Sequence, residues 1–237
     1  MNQNKVERVG VLGGTFDPVH NGHLGIAADA RKYFDLNRVL FVPANISPHK
    51  QQRIITPSHH RVEMLRLGIQ SEPAFSLSEV EIERAGVSYT IDTLQALESL
   101  YPSADLFLIL GIDTFKDMNS WKEPRHLIER YHVVVGTRPR HGLEDRDALI
   151  KQISGDACLA VPFGGVEGQE KKNMSRYRHS RTGKNLFFFE ITPYDISSSE
   201  IRRKVRCNIG VKNMLPLEVE RYIIRHQLYQ VEQTPLF

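Results

Sequence analysis

The feature that most limits how this chain can fold is a short apolar run, Val6 to Leu12, that stops at two glycines, Gly13 and Gly14. The run is rich in β-branched residues and predicts a buried strand. Apolar residues recur at helical spacing from Asn21 onward, so a helix follows almost directly. Glycines let the backbone approach a ligand closely, and a helix start adds its positive end. The sequence therefore predicts a strand–loop–helix unit whose loop binds an anion.

Further strands and helices alternate along the chain. The pattern predicts strands over Arg38–Pro43, Asp105–Leu110, His132–Gly136 and Phe187–Ile191, an extended segment over Phe75–Ile82, and helices over Ser58–Ile69 (with Ser58 as N-cap), Thr90–Tyr101, Ser198–Cys207 and Leu217–Gln227. Such alternation favours βαβ units. We expect an α/β fold, a Rossmann-like doubly wound parallel sheet with helices on both faces. In this prediction residues 1–237 form one domain, and 196–237 form a small C-terminal helical part.

Composition restricts the class of protein. Of the 237 residues, 41% are hydrophobic and 25% are charged, which is typical of a globular domain that needs no disulfides. The two cysteines, Cys158 and Cys207, fit no metal-binding spacing and are expected to be reduced thiols. We expect no secretory signal, no membrane span and a cytoplasmic location. The net charge of +3 does not argue for nucleic acid, and it suits substrates that carry phosphates.

One segment interrupts the alternation. Residues 164–184 are rich in glycine and basic residues and nearly devoid of apolar side chains. We interpret them as a long basic surface insertion. Within it, Lys171 to Arg176 (KKNMSR) is loosely similar to the KMSKS motif of tRNA synthetases, but a basic surface loop is the stronger interpretation.

Two histidines lie at the start of the first predicted helix. His20 and His23 are three residues apart, so both imidazoles face one side of the first turn. Two hydrogen-bond donors beside an anion-binding loop suit a phosphoryl group on which charge develops during transfer. The chain has no GxGxxG turn and no GxxxxGK[ST] loop, which argues against an ordinary dinucleotide fold and against a P-loop. Two histidines alone are more often solvated capping residues, and only the complete stretch favours the functional interpretation.

That stretch, Gly13 to His23 (GGTFDPVHNGH), resembles the signature of the adenylyltransferase and cytidylyltransferase superfamily. Thr15, His20 and His23 match its diagnostic positions after a strand. The HNGH part is also similar to the HIGH box of class I aminoacyl-tRNA synthetases, which share this nucleotide-handling fold. The resemblance implies transfer of a nucleotidyl group.

Four further stretches narrow the resemblance. They are Pro48-His49-Lys50 after the second strand, Ser88 to Thr93 (SYTIDT) at a helix start, Gly111-Ile112-Asp113 at a strand end with Trp121 beyond it, and Ile196 to Arg202 (ISSSEIR) at the penultimate helix. In this order they resemble bacterial nicotinate-nucleotide adenylyltransferases, as does the ending Leu215 to Tyr229. The likeness spans almost the whole chain except the basic insertion. It implies that AMP passes from ATP to nicotinate mononucleotide, giving deamido-NAD and pyrophosphate in NAD biosynthesis (EC 2.7.7.18).

The local patterns and the resemblance together indicate candidate site residues. The candidate catalytic residues are His20, His23, Lys50 and Arg202. The candidates for binding ATP and its phosphates are Gly13, Gly14, Thr15, Phe16, Gly111, Asp113, Arg138, Ile196, Ser197 and Ser198. The candidates for nicotinate mononucleotide are Asp17, Asn45, Tyr89, Thr90 and Trp121. The family implies that backbone N–H groups of Tyr89 and Thr90 receive the pyridine carboxylate and that Trp121 stacks on the ring.

Several candidates also have a plain structural interpretation. In that interpretation the serines at the start of the ISSSEIR helix are only N-capping residues, Lys50 is a solvated loop lysine, and Trp121 packs in the core. In addition, Arg140 stands where the family usually has glycine after Arg138-Pro139. The resemblance therefore does not determine the conformation of that loop.

The expected reaction is an in-line attack by the acceptor phosphate on the α-phosphorus of ATP, without a covalent enzyme intermediate. His20 and His23 stabilise charge on the phosphates, and Lys50 and Arg202 neutralise the triphosphate tail. Mg²⁺ is the expected cofactor, held mainly by ATP phosphates and water, with no protein metal ligands. The expected partners are ATP and nicotinate mononucleotide, with no nucleic acid and no membrane. Assembly into a homo-oligomer is left open.

Other functions stay open as well. The acceptor could be nicotinamide mononucleotide or phosphopantetheine, or the enzyme could be a cytidylyltransferase. The SYTIDT stretch and Trp121 favour a pyridine ring, while the choice of acid over amide rests on the family resemblance. A non-catalytic nucleotide sensor is a second class, and the complete set Thr15, His20, His23, Lys50, Ser198 and Arg202 argues against it. RNA binding through the basic insertion is the third and weakest alternative.

Overall fold

A computed structural model describes residues 6–46, 55–138, 146–161 and 174–230, and in this part of the chain eight strands form one sheet. The strands are β1 (Glu7–Gly14), β2 (Arg38–Pro43), β3 (Phe75–Leu77), β4 (Ala104–Gly111), β5 (His132–Thr137), β6 (Cys158–Val161), β7 (Met174–His179) and β8 (Asn185–Glu190). Their order across the sheet is β3-β2-β1-β4-β5-β8-β7-β6.

The sheet is parallel from β3 to β8 and antiparallel at its far edge. Each neighbouring pair from β3 through β8 is parallel, whereas β7 is antiparallel to β8 and β6 is antiparallel to β7. The chain moves outward from β1 to β2 and β3, then returns to place β4 on the other side of β1. Ligands bind at such a reversal of strand order, beyond the carboxyl ends of the strands. Gly13 and Gly14 end β1 at this point, and Gly111 ends β4 beside them.

Helices cover both faces of the sheet. They are α1 (Asn21–Tyr33), α2 (Ser58–Ile69), α3 (Val80–Arg84), α4 (Thr90–Leu100), α5 (Ile112–Lys116), α6 (Pro124–Arg130), α7 (Arg146–Ser154), α8 (Ser198–Arg206) and α9 (Leu217–Arg225). Apolar side chains of α1, α2, α8 and α9 form one core with the sheet, and those of α4, α5, α6 and α7 form the other. The predicted doubly wound α/β fold is confirmed.

The central strands are apolar throughout because both of their faces are buried. In β4, Leu106, Leu108 and Leu110 point into one core. Phe107 and Ile109 point into the other core. Successive side chains of a strand face opposite sides, so a continuous apolar run fills two cores at once.

Several predicted bounds agree with the structure, and some local predictions are wrong. The bounds of β2 and α2 are those predicted, but Pro57 occupies the N-cap position of α2 and Ser58 is its first residue. Residues 75–82 are not one extended segment, because β3 ends at Leu77 and α3 begins at Val80. The short elements α5, α6, α7 and β6 were not predicted, since none has a long periodic pattern of its own.

The prediction of a surface loop over 164–184 is wrong for its later part. Met174–His179 is β7, and it pairs with β8 along its length. Tyr177 and His179 are buried, and the guanidinium of Arg146 lies 5.7 Å from the centroid of the Tyr177 ring. The sequence pattern did not predict this strand because its buried residues, Tyr177 and His179, are polar aromatics that alternate with arginines. Residues 164–173 lie outside the described part of the chain.

The structure shows neither a membrane-spanning helix nor a disulfide among the residues it describes. Among these residues no helix is long and apolar enough to cross a lipid bilayer. Cys158 is half-buried and Cys207 is exposed, and both are free thiols.

A half-buried histidine lies at the amino end of the sheet, opposite the glycine ends of β1 and β4. The His132 ring stacks on Phe107 with centroids 4.6 Å apart, and its Nδ1 accepts a hydrogen bond from the Asn185 N–H at 3.1 Å. Burial, helped by the charge of nearby Lys184, lowers the pKa of His132 from 6.5 to about 4. The folded protein therefore holds His132 neutral at a pH where the unfolded chain would protonate it.

We expect the His132→Asn variant to lose less stability than the wild type when the pH is lowered. The folded pKa lies below the unfolded value, so protonation favours the unfolded state as the pH falls from 6.5 to 4, by roughly 2–3 kcal/mol. The asparagine amide oxygen still accepts from the Asn185 N–H but does not titrate. Urea unfolding at pH 7 and pH 4.5 should show a smaller difference for His132→Asn than for the wild type, with the exposed His126→Asn as control. An equal difference in the wild type and His132→Asn would contradict the lowered pKa.

Candidate active site

A cleft with two lobes opens at the carboxyl ends of the strands. The wide lobe, of about 470 Å³, extends from the start of α1 across the ends of β4 and β5 to the start of α8. The narrow lobe, of about 390 Å³, lies between the end of β1, the start of α4 and the segment after α5. Both lobes are lined by Gly13, Gly14 and Thr15. Two cavities that meet at one loop suit two substrates that must be joined.

Most of the predicted residues lie around this cleft. The wide lobe is lined by Gly13, Gly14, Thr15, Phe16, Asp17, His20, His23, Gly111, Asp113, Arg138, Ile196, Ser197, Ser198 and Arg202. The narrow lobe is lined by Tyr89, Thr90 and Trp121, and it shares Asp113 with the wide lobe. Asn45 lines neither lobe, but its N–H donates to the Ser88 hydroxyl at 3.0 Å beside the narrow lobe. Lys50 lies outside the described residues.

Glycines at the strand ends keep the floor of the cleft open. A Cβ added at Gly13 or Gly111 would meet no other atom within 4 Å, so both positions face empty space. Their backbone is therefore accessible to a ligand, as the sequence predicts.

The two histidines stack on each other at the start of α1. His20 is the N-cap residue, and the centroids of the His20 and His23 rings are 3.7 Å apart. The Nδ1 of His23 accepts a hydrogen bond from the backbone N–H of His20 at 3.3 Å. A nitrogen that accepts in this way carries no proton, so the proton of neutral His23 is on Nε2. His23 thus offers an N–H donor in the lining of the wide lobe.

His20 is buried and neutral near pH 7. It is 6% exposed, and its Nδ1 has no hydrogen-bond partner within the described chain. Burial lowers the pKa of His20 from 6.5 to about 4. Two uncharged rings can stack closely, whereas two imidazolium rings would repel each other. His20 therefore acts as a hydrogen-bond donor or acceptor near pH 7 and not as a fixed cation.

Asp17 holds the loop before α1 in place. Its carboxylate accepts hydrogen bonds from the Tyr229 hydroxyl at 2.8 Å and from the Thr56 N–H at 3.3 Å, and the Asp17–Pro18 peptide is cis. Asp17 is 5% exposed and lines the wide lobe. The binding of nicotinate mononucleotide by Asp17 stays a prediction, and in the structure its carboxylate ties the loop to Tyr229 and Thr56.

The start of α8 is tied to the same loop. The Ser197 side chain caps the helix by accepting from the Glu200 N–H at 3.2 Å, so the plain capping interpretation holds for this serine. The Ser198 hydroxyl donates to the Pro18 carbonyl at 2.9 Å, and Arg202 Nη1 donates to the Asp17 carbonyl at 2.5 Å. The start of α8 and Arg202 line the wide lobe together with the two histidines. The first N–H groups of a helix have no partner within the helix and can bind an anion.

The narrow lobe is built around the start of α4. Tyr89 is the N-cap residue of α4, and the ammonium of Lys122 lies 5.1 Å from its ring centroid. Trp121 packs against the core and also lines the narrow lobe. Its stacking on a pyridine ring stays a prediction. Buried Glu81 accepts from the Thr93 hydroxyl at 2.5 Å, and burial raises its pKa. A helix start and an aromatic ring suit a flat anionic ligand.

Sequence reasoning missed one residue on which the cleft depends. Arg61 is 2% exposed, and its guanidinium donates to the carbonyls of Thr15 at 2.8 Å, Thr56 at 2.9 Å and Asn45 at 3.4 Å. Burial lowers the pKa of Arg61, and nearby Asp17 raises it. A signal was present in the sequence, because Arg61 lies at helical spacing with the buried Leu65. A cation on the apolar face of a helix needs polar partners.

The chain is similar in sequence to known proteins of one family. Residues 11–204 match the family model described as Cytidylyltransferase-like. A protein of Geotalea daltonii, named "probable nicotinate-nucleotide adenylyltransferase", is 40% identical over 223 residues, which are 94% of this chain and 98% of the relative. The chain belongs to the nicotinate-nucleotide adenylyltransferase family. A family member of the same name from Dictyoglomus thermophilum is 36% identical over 222 residues, covering 94% of this chain and 99% of the relative.

A solved structure shares the fold of this family member. It is the Plasmodium falciparum nicotinic acid mononucleotide adenylyltransferase complexed with NaAD, with a TM-score of 0.70 and 19% identity, and the match covers 94% of this chain and 97% of that one. The family model and the curated relatives confirm the resemblance inferred from the Gly13–His23 stretch.

We expect Arg61→Met to destabilise this adenylyltransferase family member by about 3 kcal/mol or more. The substitution removes the donor from three backbone carbonyls in part-buried hydrogen bonds, and each unmet buried acceptor costs about 1–3 kcal/mol. Urea unfolding would measure the change. The control is Arg66→Met on the same helix, whose exposed guanidinium pairs with Glu63 and Glu79 and should contribute less than about 1 kcal/mol. Equal effects of the two substitutions would contradict the bridging role of Arg61.

Proposed function

We propose that the protein is a nicotinate-nucleotide adenylyltransferase, which transfers AMP from ATP to nicotinate mononucleotide and releases pyrophosphate. The observation that carries this proposal is the meeting of two lobes at Gly13–Thr15, with His20, His23 and the start of α8 on the wide side and the start of α4 on the narrow side. The names of the curated relatives support the same activity.

ATP occupies the wide lobe in this proposal. Its phosphates lie near the starts of α1 and α8, where backbone N–H groups, His23 and Arg202 line the cleft. Its adenosine extends over Gly111 and Gly136 toward Ile191 and Ile196. Arg138 also lines this end, and its exposed side chain lies 3.7 Å from Asp195.

Nicotinate mononucleotide occupies the narrow lobe. Its pyridine ring lies against Trp121, its carboxylate faces the backbone at Tyr89 and Thr90, and its phosphate points toward Gly13–Thr15. The positive end of α4 favours an acid over an amide at this place, because it interacts more strongly with a full negative charge. The preference for nicotinate over nicotinamide mononucleotide stays a prediction, and the assay described below compares the two.

Catalysis consists of orientation and hydrogen bonding. An oxygen of the acceptor phosphate forms a bond to the α-phosphorus of ATP, and the bond from that phosphorus to the bridging oxygen breaks, so that pyrophosphate leaves with its electron pair. The attacking phosphate is already ionised, so no general base is required. The Nε2–H of His23 donates to a phosphate oxygen on which charge accumulates, while Arg202 and, as predicted from the sequence, Lys50 bind the departing phosphates.

A divalent cation, Mg²⁺ in our proposal, would neutralise charge on the ATP phosphates. The residues that the structure describes contain no group of three histidine, cysteine, aspartate or glutamate side chains that could hold a metal ion. Asp17 and Asp113 are the carboxylates that line the wide lobe. Because Asp17 is engaged by Tyr229 and Thr56, Asp113 is the side chain positioned to hold the ion's waters. This donor set fits Mg²⁺ bound by phosphates and water.

A pyrophosphate-release assay with ATP tests the proposed function. Nicotinate mononucleotide should be used with a higher kcat/KM than nicotinamide mononucleotide. A preference for the amide would replace the proposed acceptor, and no release with either acceptor would favour a nucleotide sensor. The cytoplasmic location stays a prediction.

We expect His23→Ala to lower kcat about 10²–10³-fold with a smaller effect on ATP affinity. The reason is that a donor to developing charge contributes mostly to the transition state. Steady-state kinetics and ATP binding would measure both quantities. His59→Ala, at an exposed position of α2, should leave them unchanged. Wild-type turnover of His23→Ala would remove His23 from the mechanism.

We expect Trp121→Ala to raise KM for nicotinate mononucleotide about tenfold and KM for ATP much less. The expectation follows from the position of Trp121 in the narrow lobe only and from the usual strength of aromatic stacking. Trp121→Phe keeps a ring and should show a smaller change. Equal increases for both substrates would argue for a general packing role.

A further inference from the structure

A notch interrupts one face of α1 next to the wide lobe. Gly22 and Gly25 are three residues apart and therefore share this face. A Cβ built on Gly25 would overlap the Tyr194 ring, lying 2.8 Å from its Cδ2 and closer still to its Cε2. A Cβ on Gly22 would lie 3.6 Å from the Tyr194 Cβ. The Tyr194 ring thus fills a space that exists only because residue 25 has no side chain.

Tyr194 lies between the end of β8 and the start of α8, and it lines the wide lobe. It is 37% exposed, and in the described part of the chain it is the one aromatic residue among the exposed large hydrophobic side chains. A partly exposed ring fixed against a helix is a suitable surface for a planar ligand.

The wide lobe that Tyr194 lines also contains apolar side chains that suit a nucleobase. Its lining includes the apolar side chains of Ile26, Ile109, Ile191 and Ile196. Ile26 and Ile191 lie together, because a Cβ added at Gly136 would approach both of them within 2.8 Å. The histidines and Arg202 line the same lobe at the starts of α1 and α8. A nucleoside triphosphate whose phosphates lie there would direct its base toward these apolar residues.

We propose that Tyr194, held in the notch of Gly22 and Gly25, is a wall of the nucleobase site and a determinant of affinity for the adenine nucleotide. This inference rests on the proposed placement of ATP in the wide lobe. It does not require that transfer to nicotinate mononucleotide takes place.

Binding of a non-transferable analogue, α,β-methylene-ATP, tests the proposal by calorimetry without turnover. Tyr194→Ala should raise the Kd about tenfold, and Tyr194→Phe, which keeps the ring, should change it less than twofold. Inorganic tripolyphosphate serves as a probe for the phosphate end, and its Kd should be the same in all three proteins. The Kd of nicotinate mononucleotide should also be unchanged.

Gly25→Ala provides an independent perturbation that leaves Tyr194 in the sequence. The new methyl group displaces the ring, so we expect a similar loss of analogue affinity, while alanine in a helix does not lower stability through propensity. In the Tyr194→Ala background the notch is empty, and Gly25→Ala should then have almost no further effect. Thermal melting of each variant verifies that it is folded.

The outcomes separate this inference from the proposed function. An unchanged analogue Kd in folded Tyr194→Ala, or an equal loss for the analogue and tripolyphosphate, would overturn the role of Tyr194. Additive effects of Gly25→Ala and Tyr194→Ala would overturn the role of the notch. A tenfold loss of analogue affinity in a protein that transfers no AMP would support the nucleobase wall and reject the transferase. A wild-type protein that does not bind the analogue would overturn both.

Discussion

The geometry of the cleft depends on a buried cation. The Arg61 guanidinium donates to the carbonyl of Thr15, in the loop after β1, and to those of Asn45 and Thr56, near the two ends of the connection between β2 and α2. Burying a charge costs several kcal/mol unless hydrogen bonds replace those of water, and here backbone carbonyls do so. Because one planar group holds all three, the distances between these loops do not depend on the stiffness of any loop alone. The phosphate-binding backbone therefore has a fixed shape before a ligand arrives.

The site separates hydrogen bonding from charge. His20 and His23 stack at 3.7 Å, and burial keeps His20 neutral near pH 7, so the hydrogen-bonding state of His20 does not change between about pH 5 and 8. Positive potential comes instead from the starts of α1 and α8 and from Arg202. Transfer between two phosphates redistributes negative charge without creating a new net charge. Directed donors and a constant positive field suit that redistribution.

The sequence predicted the parts of the fold and site whose signals are local. The run ending at Gly13-Gly14, the histidines after it and the apolar strands are contiguous patterns, and the structure places them as expected. The missed features depend on contacts between distant segments. β7 has its inward-facing residues between arginines, and Arg61 satisfies carbonyls up to 46 residues away. Tyr194 faces a helix glycine far from it in sequence, and neither residue indicates the other.

The bond between Tyr229 and Asp17 has a consequence for the order in which the enzyme is made. These residues are 212 positions apart, and the Tyr229 hydroxyl, whose pKa is raised by burial, donates to the carboxylate that holds the loop before α1. At about 5–20 residues per second, a ribosome needs roughly 10–40 s to travel from the first of these codons to the second. During that interval a nascent chain can fold much of its sheet but lacks the contact that fixes its phosphate-binding loop. Biosynthesis therefore delays completion of this site until the last described turns of the protein have emerged.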